Sequence, residues 1–254
     1  MNMDFLEKIL LEKEKEVSGM ELENLQPLRV TESFGARVKN HPEHIHVIGE
    51  IKRASPSKGT INLNVDSVKQ AKDYEKAGVS AISVLTDEVF FKGSIDILRE
   101  VAEAVSVPVL CKDFIIDEKQ LIRARNAGAT MVLLIVAALT EEHLKQLLEK
   151  AQKLGLEVLV EVHNLEELAI AEKLGVPLIG VNNRNLKTFE VSVGTSIELG
   201  KKQTTKAVYI SESGFETGEQ VEKIAQHYQG ILVGETLMKA ADSQEKVREL
   251  QVIR

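Results

Sequence analysis

One cysteine, Cys111, in 254 residues leaves no internal disulfide framework and suits a reducing compartment. Long apolar runs are missing as well. The longest, residues 131–139, falls far short of the ~20 residues that would span a bilayer. The opening MNMDFLEKILLEKEKEV carries charges where a secretory signal needs its apolar region, so a soluble cytoplasmic protein is expected. There is no basic excess: the formal net charge is −7, which argues against a general nucleic-acid surface with its clustered Lys and Arg. An anionic ligand must therefore be held by local positive groups against the overall field. Low-complexity runs are absent. No Gly-rich fingerprint follows the first apolar run, which counts against a dinucleotide-binding doubly wound sheet.

What is present is ample core material, 43% hydrophobic residues against 28% charged. Short runs rich in Val and Ile read as strands near 45–52, 81–85, 109–112, 131–136, 157–161, 178–181, 207–211 and 230–233. Their two-sided hydrophobicity is that of parallel strands covered by helices. Between them, 65–77, 96–104, 117–127 and 141–154 place apolar residues three and four apart, as amphipathic helices do. Gly78, Gly128, Gly155 and Gly175 follow helical segments as left-handed caps. Asp117 with Gln120 and Thr140 with His143 mark helix starts. Eight βα units favour a closed (β/α)₈ TIM barrel over 45–254, in one domain whose first 44 residues form an N-terminal helical extension. Residues 5–17 are the clearest helix of that extension. It is expected to pack on the barrel; the other reading has it cap the active-site mouth.

Active sites of such barrels lie at the C-terminal ends of the strands, so those ends are read in order. The first gives Glu50 and Lys52 on one face by period-two alternation. Thr86-Asp87, Lys112-Asp113-Phe114 and Glu161-Val162-His163 end the second, third and fifth. The last three end in Asn182-Asn183-Arg184, Glu212-Ser213-Gly214 and Gly234-Glu235. Burying such charges is costly unless they pair or hold a ligand, and their concentration at one rim favours the ligand. Any one of them taken alone fits a structural ion pair equally well. Ser213-Gly214 and Gly234-Glu235 stand where these barrels commonly bind phosphate, through backbone N–H groups that glycine leaves approachable. Lys52 and Ser55 are candidate side-chain contacts to the same anion.

Other groups read as structural. His41, His44 and His46 lie before the first strand, away from the rim, and nothing acidic or cysteine-rich converges on them as metal ligands. Cys111 alternates with Lys112 and should face the helices. The charged run at 12–16 reads as a solvated helix face. His163 reads as a rim residue or a helix cap and stays outside the catalytic set.

Seven segments together resemble the indole-3-glycerol-phosphate synthase family. They are VIGEIKRASPSKG (47–59), SVLTDEVFFKGS (83–94), PVLCKDFIID (108–117), LVEVHN (159–164), IGVNNRNLKTF (179–189), ISESG (210–214) and LVGETLM (232–238). The first and third are the most specific; the Gly-containing ones are shared by other phosphate-binding barrels. Members convert 1-(2-carboxyphenylamino)-1-deoxyribulose 5-phosphate into indole-3-glycerol phosphate, carbon dioxide and water, in tryptophan biosynthesis, without a metal or organic cofactor. The resemblance therefore implies a small phosphorylated substrate and no nucleic-acid or membrane partner. A monomer is expected, with association with other enzymes of the pathway left open.

Under that resemblance the catalytic set is Glu50, Lys52, Lys112, Glu161 and Asn182. Lys112 is expected to be the general acid for ring closure, its pKa lowered by burial and nearby cations. Glu161 is expected to serve dehydration, with a pKa raised by an apolar surround. Lys52 would attract the substrate carboxylate or the leaving hydroxyl, with Glu50 orienting it or acting as a second acid/base group. Asn182 would hold a hydroxyl, and Arg184 either forks a carboxylate or clamps Glu161. Phe114, with Phe90 or Phe91, would flank the aromatic ring; plain core is the alternative. Ser213, Gly214, Gly234 and Glu235 are assigned to the phosphate and Glu212 to the substrate or its phosphate, with Glu235 acting through its backbone in a place where similar proteins also carry serine. The loops after the first and second strands, RASPSKG included, are candidate lids. Two rivals remain: a Schiff-base aldolase or sugar-phosphate isomerase using Lys112 as its amine, and a barrel that only binds.

Overall fold

The computed structural model describes residues 4–55, 59–60 and 66–254, with 54, 55, 59 and 60 described by their backbone alone. Two helices, α1 (Phe5–Gly19) and α2 (Phe34–Asn40), precede the barrel. Its strands are β1 (His46–Ile51), β2 (Ala81–Leu85), β3 (Val109–Lys112), β4 (Met131–Ile135), β5 (Glu157–Val162), β6 (Leu178–Asn182), β7 (Val208–Glu212) and β8 (Gly230–Val233). All pairings are parallel, and β8 returns to β1 to close the ring. The two-residue strands Ala54–Ser55 and Gly59–Thr60 form a small antiparallel pair in the loop after β1.

Helices alternate with the strands, the first four where the periodicity predicts them: α3 (Ser67–Ala77), α4 (Ile95–Ala104), α5 (Glu118–Asn126), α6 (Glu141–Lys153), α7 (Leu165–Lys173), α8 (Gly194–Gly200) and α9 (Gly218–Glu222). The short α10 (Glu235–Lys239) and then α11 (Ser243–Leu250) follow β8. Asp117 and Gln120 form a reciprocal capping box at α5, and the Thr140 hydroxyl accepts from the His143 N–H at α6. The four cap glycines all have φ between 67° and 93°, the left-handed region where a Cβ is penalised.

Alternate residues of each strand enter different layers. Val47, Ile82, Val109, Cys111 and Val160 pack beneath the helices, in agreement with the outward reading of Cys111. Ile48, Leu110, Leu133, Leu159, Ile210 and Leu232 fill the interior. Period-two geometry then sends Glu50, Lys112, Glu161 and Glu212, each two residues further along its strand, into the barrel above that apolar plug.

The two leading helices sit at opposite ends. Phe34 of α2 is fully buried in the interior cluster and closes the N-terminal mouth, its ring centroid 6.1 Å from that of His46. Glu157 holds it there, accepting from the N–H groups of Phe34 at 2.7 Å and Gly35 at 3.0 Å. The intervening chain runs past the barrel wall, where Lys119 donates to the Met20 carbonyl at 2.8 Å, Asn126 to that of Asn24 at 2.9 Å and Arg29 to that of Val107 at 3.2 Å.

Candidate active site

At the C-terminal rim a cleft of about 850 Å³, open to solvent, is lined at its base by Glu50, Lys52, Lys112, Glu161, Asn182 and Arg184. Its walls include Phe91, Phe114, Leu186 and Phe189 from the strand-end loops, and Phe5, Leu6 and Ile9 from α1. The helix thus does both things considered for it: it packs on the barrel and walls the mouth. Phe5 meets Phe90 edge-on at 5.4 Å and Phe189 at 4.9 Å between centroids, so three elements converge on one ring. Phe114 lies 6.1 Å from Phe91.

Lys112 is the hub. Its Nζ stands 3.4 Å from Glu161 Oε2 and 3.4 Å from Glu212 Oε2. Glu50 is a further buried carboxylate, bound to Lys52 at 2.6 Å. The expectation of cations around Lys112 is therefore corrected. Burial by itself would lower its pKa, but Glu212, Glu161 and Glu50 outweigh burial and hold the ammonium well above its ordinary value.

Glu161 is also corrected. Burial pushes its carboxyl up, yet Lys112 and His163 more than reverse that and bring it to about 2. The surround is charged where an apolar one was expected. The raised carboxyl is Glu212, pushed to about 8 chiefly by burial, with Glu161 and Glu50 adding to it against Lys112. Glu212 is 1% exposed, and among the described residues its oxygens have no hydrogen-bond partner beyond the ion pair with Lys112. Its side chain enters the barrel beside Lys112. Gly180 makes the room, since a Cβ there would lie 2.0 Å from Glu212 Oε1. Spacing by two from the interior residue Ile210 was the signal for this placement. Glu50 is lowered: burial raises it, and Lys52 with Lys112 prevails.

The turn after β7 adopts a left-handed backbone. Ser213 and Gly214 have φ of 69° and 90°, and Gly234 directly precedes α10. Asn183 steadies this turn, donating to the Ser213 carbonyl at 2.9 Å and to Ser211 Oγ at 3.1 Å. The Glu235 carboxylate pairs with Lys239. The side chain of Ser55, and Pro56 of the lid segment, lie outside the described residues.

Arg184 donates through Nη1 to the Phe189 carbonyl at 3.1 Å, and its N–H donates to Asn182 Oδ1 at 3.0 Å. Glu161 is clamped by Lys112 and His163. His163 is a rim residue that sequence reasoning set aside. Its ring bridges Glu161 at 3.1 Å and Glu167 at 3.0 Å. Those two carboxylates overcome its burial and raise its pKa to about 10. Lys13 was misread: it is 1% exposed, inside the run assigned to a solvated face. Its place four residues after Ile9 on the apolar stripe of α1 was the available signal. The His44 ring lies between those of His41 and His46, and His46 is the first residue of β1; among the described residues no group of three or more His, Cys, Asp or Glu side chains could hold a metal ion.

A closed barrel with a lysine between buried carboxylates and an aromatic-walled cleft at its C-terminal rim has the arrangement of a barrel enzyme. Comparison with known proteins narrows the class. The family model described as Indole-3-glycerol phosphate synthase matches residues 6–250. A protein of Streptococcus pneumoniae (strain CGSP14) named Indole-3-glycerol phosphate synthase is 56% identical over 252 residues, covering 99% of each chain, and that of strain Hungary19A-6 is equally similar. The chain belongs to the indole-3-glycerol phosphate synthase family. Two solved structures share the fold. 3-Hexulose-6-phosphate synthase has a TM-score of 0.65 at 15% identity, covering 81% of this chain and 98% of its own. Tryptophan synthase subunit alpha from Legionella pneumophila str. Paris has a TM-score of 0.61 at 14% identity, covering 89% and 97%. Among the described residues no helix is long and apolar enough to cross a membrane.

Proposed function

We propose that this rim performs the ring closure, decarboxylation and dehydration that yield indole-3-glycerol phosphate, with Lys112 as the general acid of the first step. The observation that carries the assignment is the Lys112 ammonium, held 3.4 Å from two buried carboxylates at the base of a cleft with aromatic walls. The aromatic carbon bearing the carboxylate attacks the ketone carbon of the ribulose chain, and Lys112 protonates the ketone oxygen. The carboxylate leaves as carbon dioxide and its bonding pair restores the ring. The new hydroxyl then departs as water while a proton is taken from the neighbouring carbon.

Glu161 is ionised and takes that last proton; Glu212, with its raised pKa, is the group suited to protonate the leaving hydroxyl. Lys52, fixed by Glu50, faces the substrate carboxylate. Asn182 holds a chain hydroxyl and Arg184 the carboxylate, while Phe114 and Phe91 flank the ring. Backbone N–H groups around Ser213, Gly214, Gly234 and Glu235 receive the phosphate, joined by Ser55. We place this chemistry in the cytoplasm and in a monomer acting within one domain. Carboxylates on Lys112 keep it protonated, which favours an acid over the neutral amine that an imine-forming aldolase needs.

The test is to mix the protein with the carboxyphenylamino-deoxyribulose phosphate and follow indole fluorescence, with Lys112→Ala alongside. Indole from the wild type and its near loss in the variant support the reading. No indole from folded wild type overturns it.

A further inference from the structure

Below Phe5 and Ile9 on the same stripe of α1, Lys13 is a cation that the proposed chemistry does not use. Its Nζ lies 3.0 Å from Asp87 Oδ2, 2.7 Å from Asp113 Oδ1 and 2.8 Å from Glu16 Oε2. Asp87 and Asp113 are 1% and 3% exposed and follow β2 and β3. Among the described residues, Lys13 makes the only salt bridge of either. Arg123, the nearby guanidinium, is bound to Glu16 at 2.6 Å. Two buried carboxylates without a cation are strongly unfavourable, so the barrel rim depends on a charge that the preceding helix supplies.

Each carboxylate also shapes an aromatic turn. Asp87 Oδ1 accepts from the N–H groups of Phe90 at 2.6 Å and Phe91 at 3.1 Å. Asp113 accepts from the Phe114 N–H at 2.8 Å and from the Thr86 hydroxyl at 2.6 Å. Phe91 and Phe114 wall the cleft, and Phe90 meets Phe5 of α1.

We propose that Lys13 is a positioning residue for the aromatic end of the substrate: through Asp87 and Asp113 it sets the Phe90–Phe91 and Phe114 turns and seats α1 against them. This rests on the ring-closure reading, which places the substrate's aromatic ring in that part of the cleft. Lys13 touches no reacting atom. Its effect belongs to the ring-binding half of the site, while the Ser213–Gly214 turn is steadied separately by Asn183. That separation distinguishes the role from general stabilisation.

The full chain is titrated by calorimetry with indole-3-glycerol phosphate and with glycerol 3-phosphate, which keeps the phosphate and lacks the ring. Wild type is compared with Lys13→Met, Lys13→Arg and Asp87→Asn, each checked for fold by circular dichroism. Lys13→Met should weaken the indole ligand by on the order of tenfold and leave glycerol 3-phosphate within about twofold. It should lower kcat/KM by on the order of a hundredfold through misplacement of the ring. Lys13→Arg should recover most of the loss. Asp87→Asn, which keeps an acceptor for Phe90 and Phe91 but no charge, should show the same selectivity and decides the matter if Lys13→Met does not fold. Equal weakening of both ligands, or no change in either, overturns the proposal. Wild type that fails to bind the indole ligand overturns the ring-closure reading and this proposal with it.

Discussion

The barrel's two ends are built on opposite principles, and each is finished by a helix from before the first strand. At the N-terminal end α2 inserts a fully buried phenylalanine, Phe34, into an apolar interior. At the C-terminal end α1 brings Lys13 to two buried aspartates and Phe5 to a cleft floored by charge. The N-terminal end draws its stability from apolar packing. The rim concentrates like charges around Lys112, an arrangement that costs stability in the free protein and is useful only to a ligand.

Substitutions on the two sides should therefore separate activity from stability. The largest effect is expected of Lys112→Met. It should lower kcat by about 10²–10⁴-fold, the range of a lost general acid, with the fold intact by circular dichroism. Phe34→Ala should do the reverse: a loss of about 3–5 kcal/mol in urea unfolding, with kcat per folded molecule unchanged. Comparable damage to kcat would erase the distinction between the ends. Phe114→Ala is a milder change, expected to raise KM by about 10–100-fold from lost ring contact while kcat falls less; steady-state kinetics decides.

The subtlest is His163→Gln. Without the imidazolium beside Glu161, the acidic limb of kcat/KM should move upward by about one pH unit. Stability gives a second reading. The pKa of His163 rises from about 6.5 in an unfolded chain to about 10 in the fold. Its stabilisation is thus fully present below about pH 6.5 and is lost as pH rises through about 10. The difference in urea midpoint between wild type and variant should narrow from pH 6 to pH 10. A constant difference would mean that His163 acts by packing alone.

Much of this was legible in the chain. The strand at 109–112 was readable to the residue because a short Val-rich run ends in a charge and is followed by a capped helix. Glu50, Lys112, Glu161 and Asn182 were readable as one polar rim because each lies at or next to the C-terminal end of a strand. Their ionisation was not. It depends on which strand ends stand side by side around the ring, and Lys112 meets Glu212 from residues distant in sequence. Glu212 shares the inward parity of Ile210, although the adjacent Ser-Gly pair drew the reading toward phosphate. His163 was underrated because nothing local shows that Glu161 and Glu167 flank its ring.

By itself the sequence determined the eight barrel strands and the helices from α3 to α6, and hence the closed ring and the polar rim, because these follow from short-range repetition of apolar residues. Only the tertiary structure decided the sign of each pKa shift, the use of Lys13 as a buried cation and the division of α1 and α2 between the two ends. Those depend on distances between residues far apart in the chain, and electrostatic energy at such distances turns on a few ångströms and on burial that no local pattern encodes.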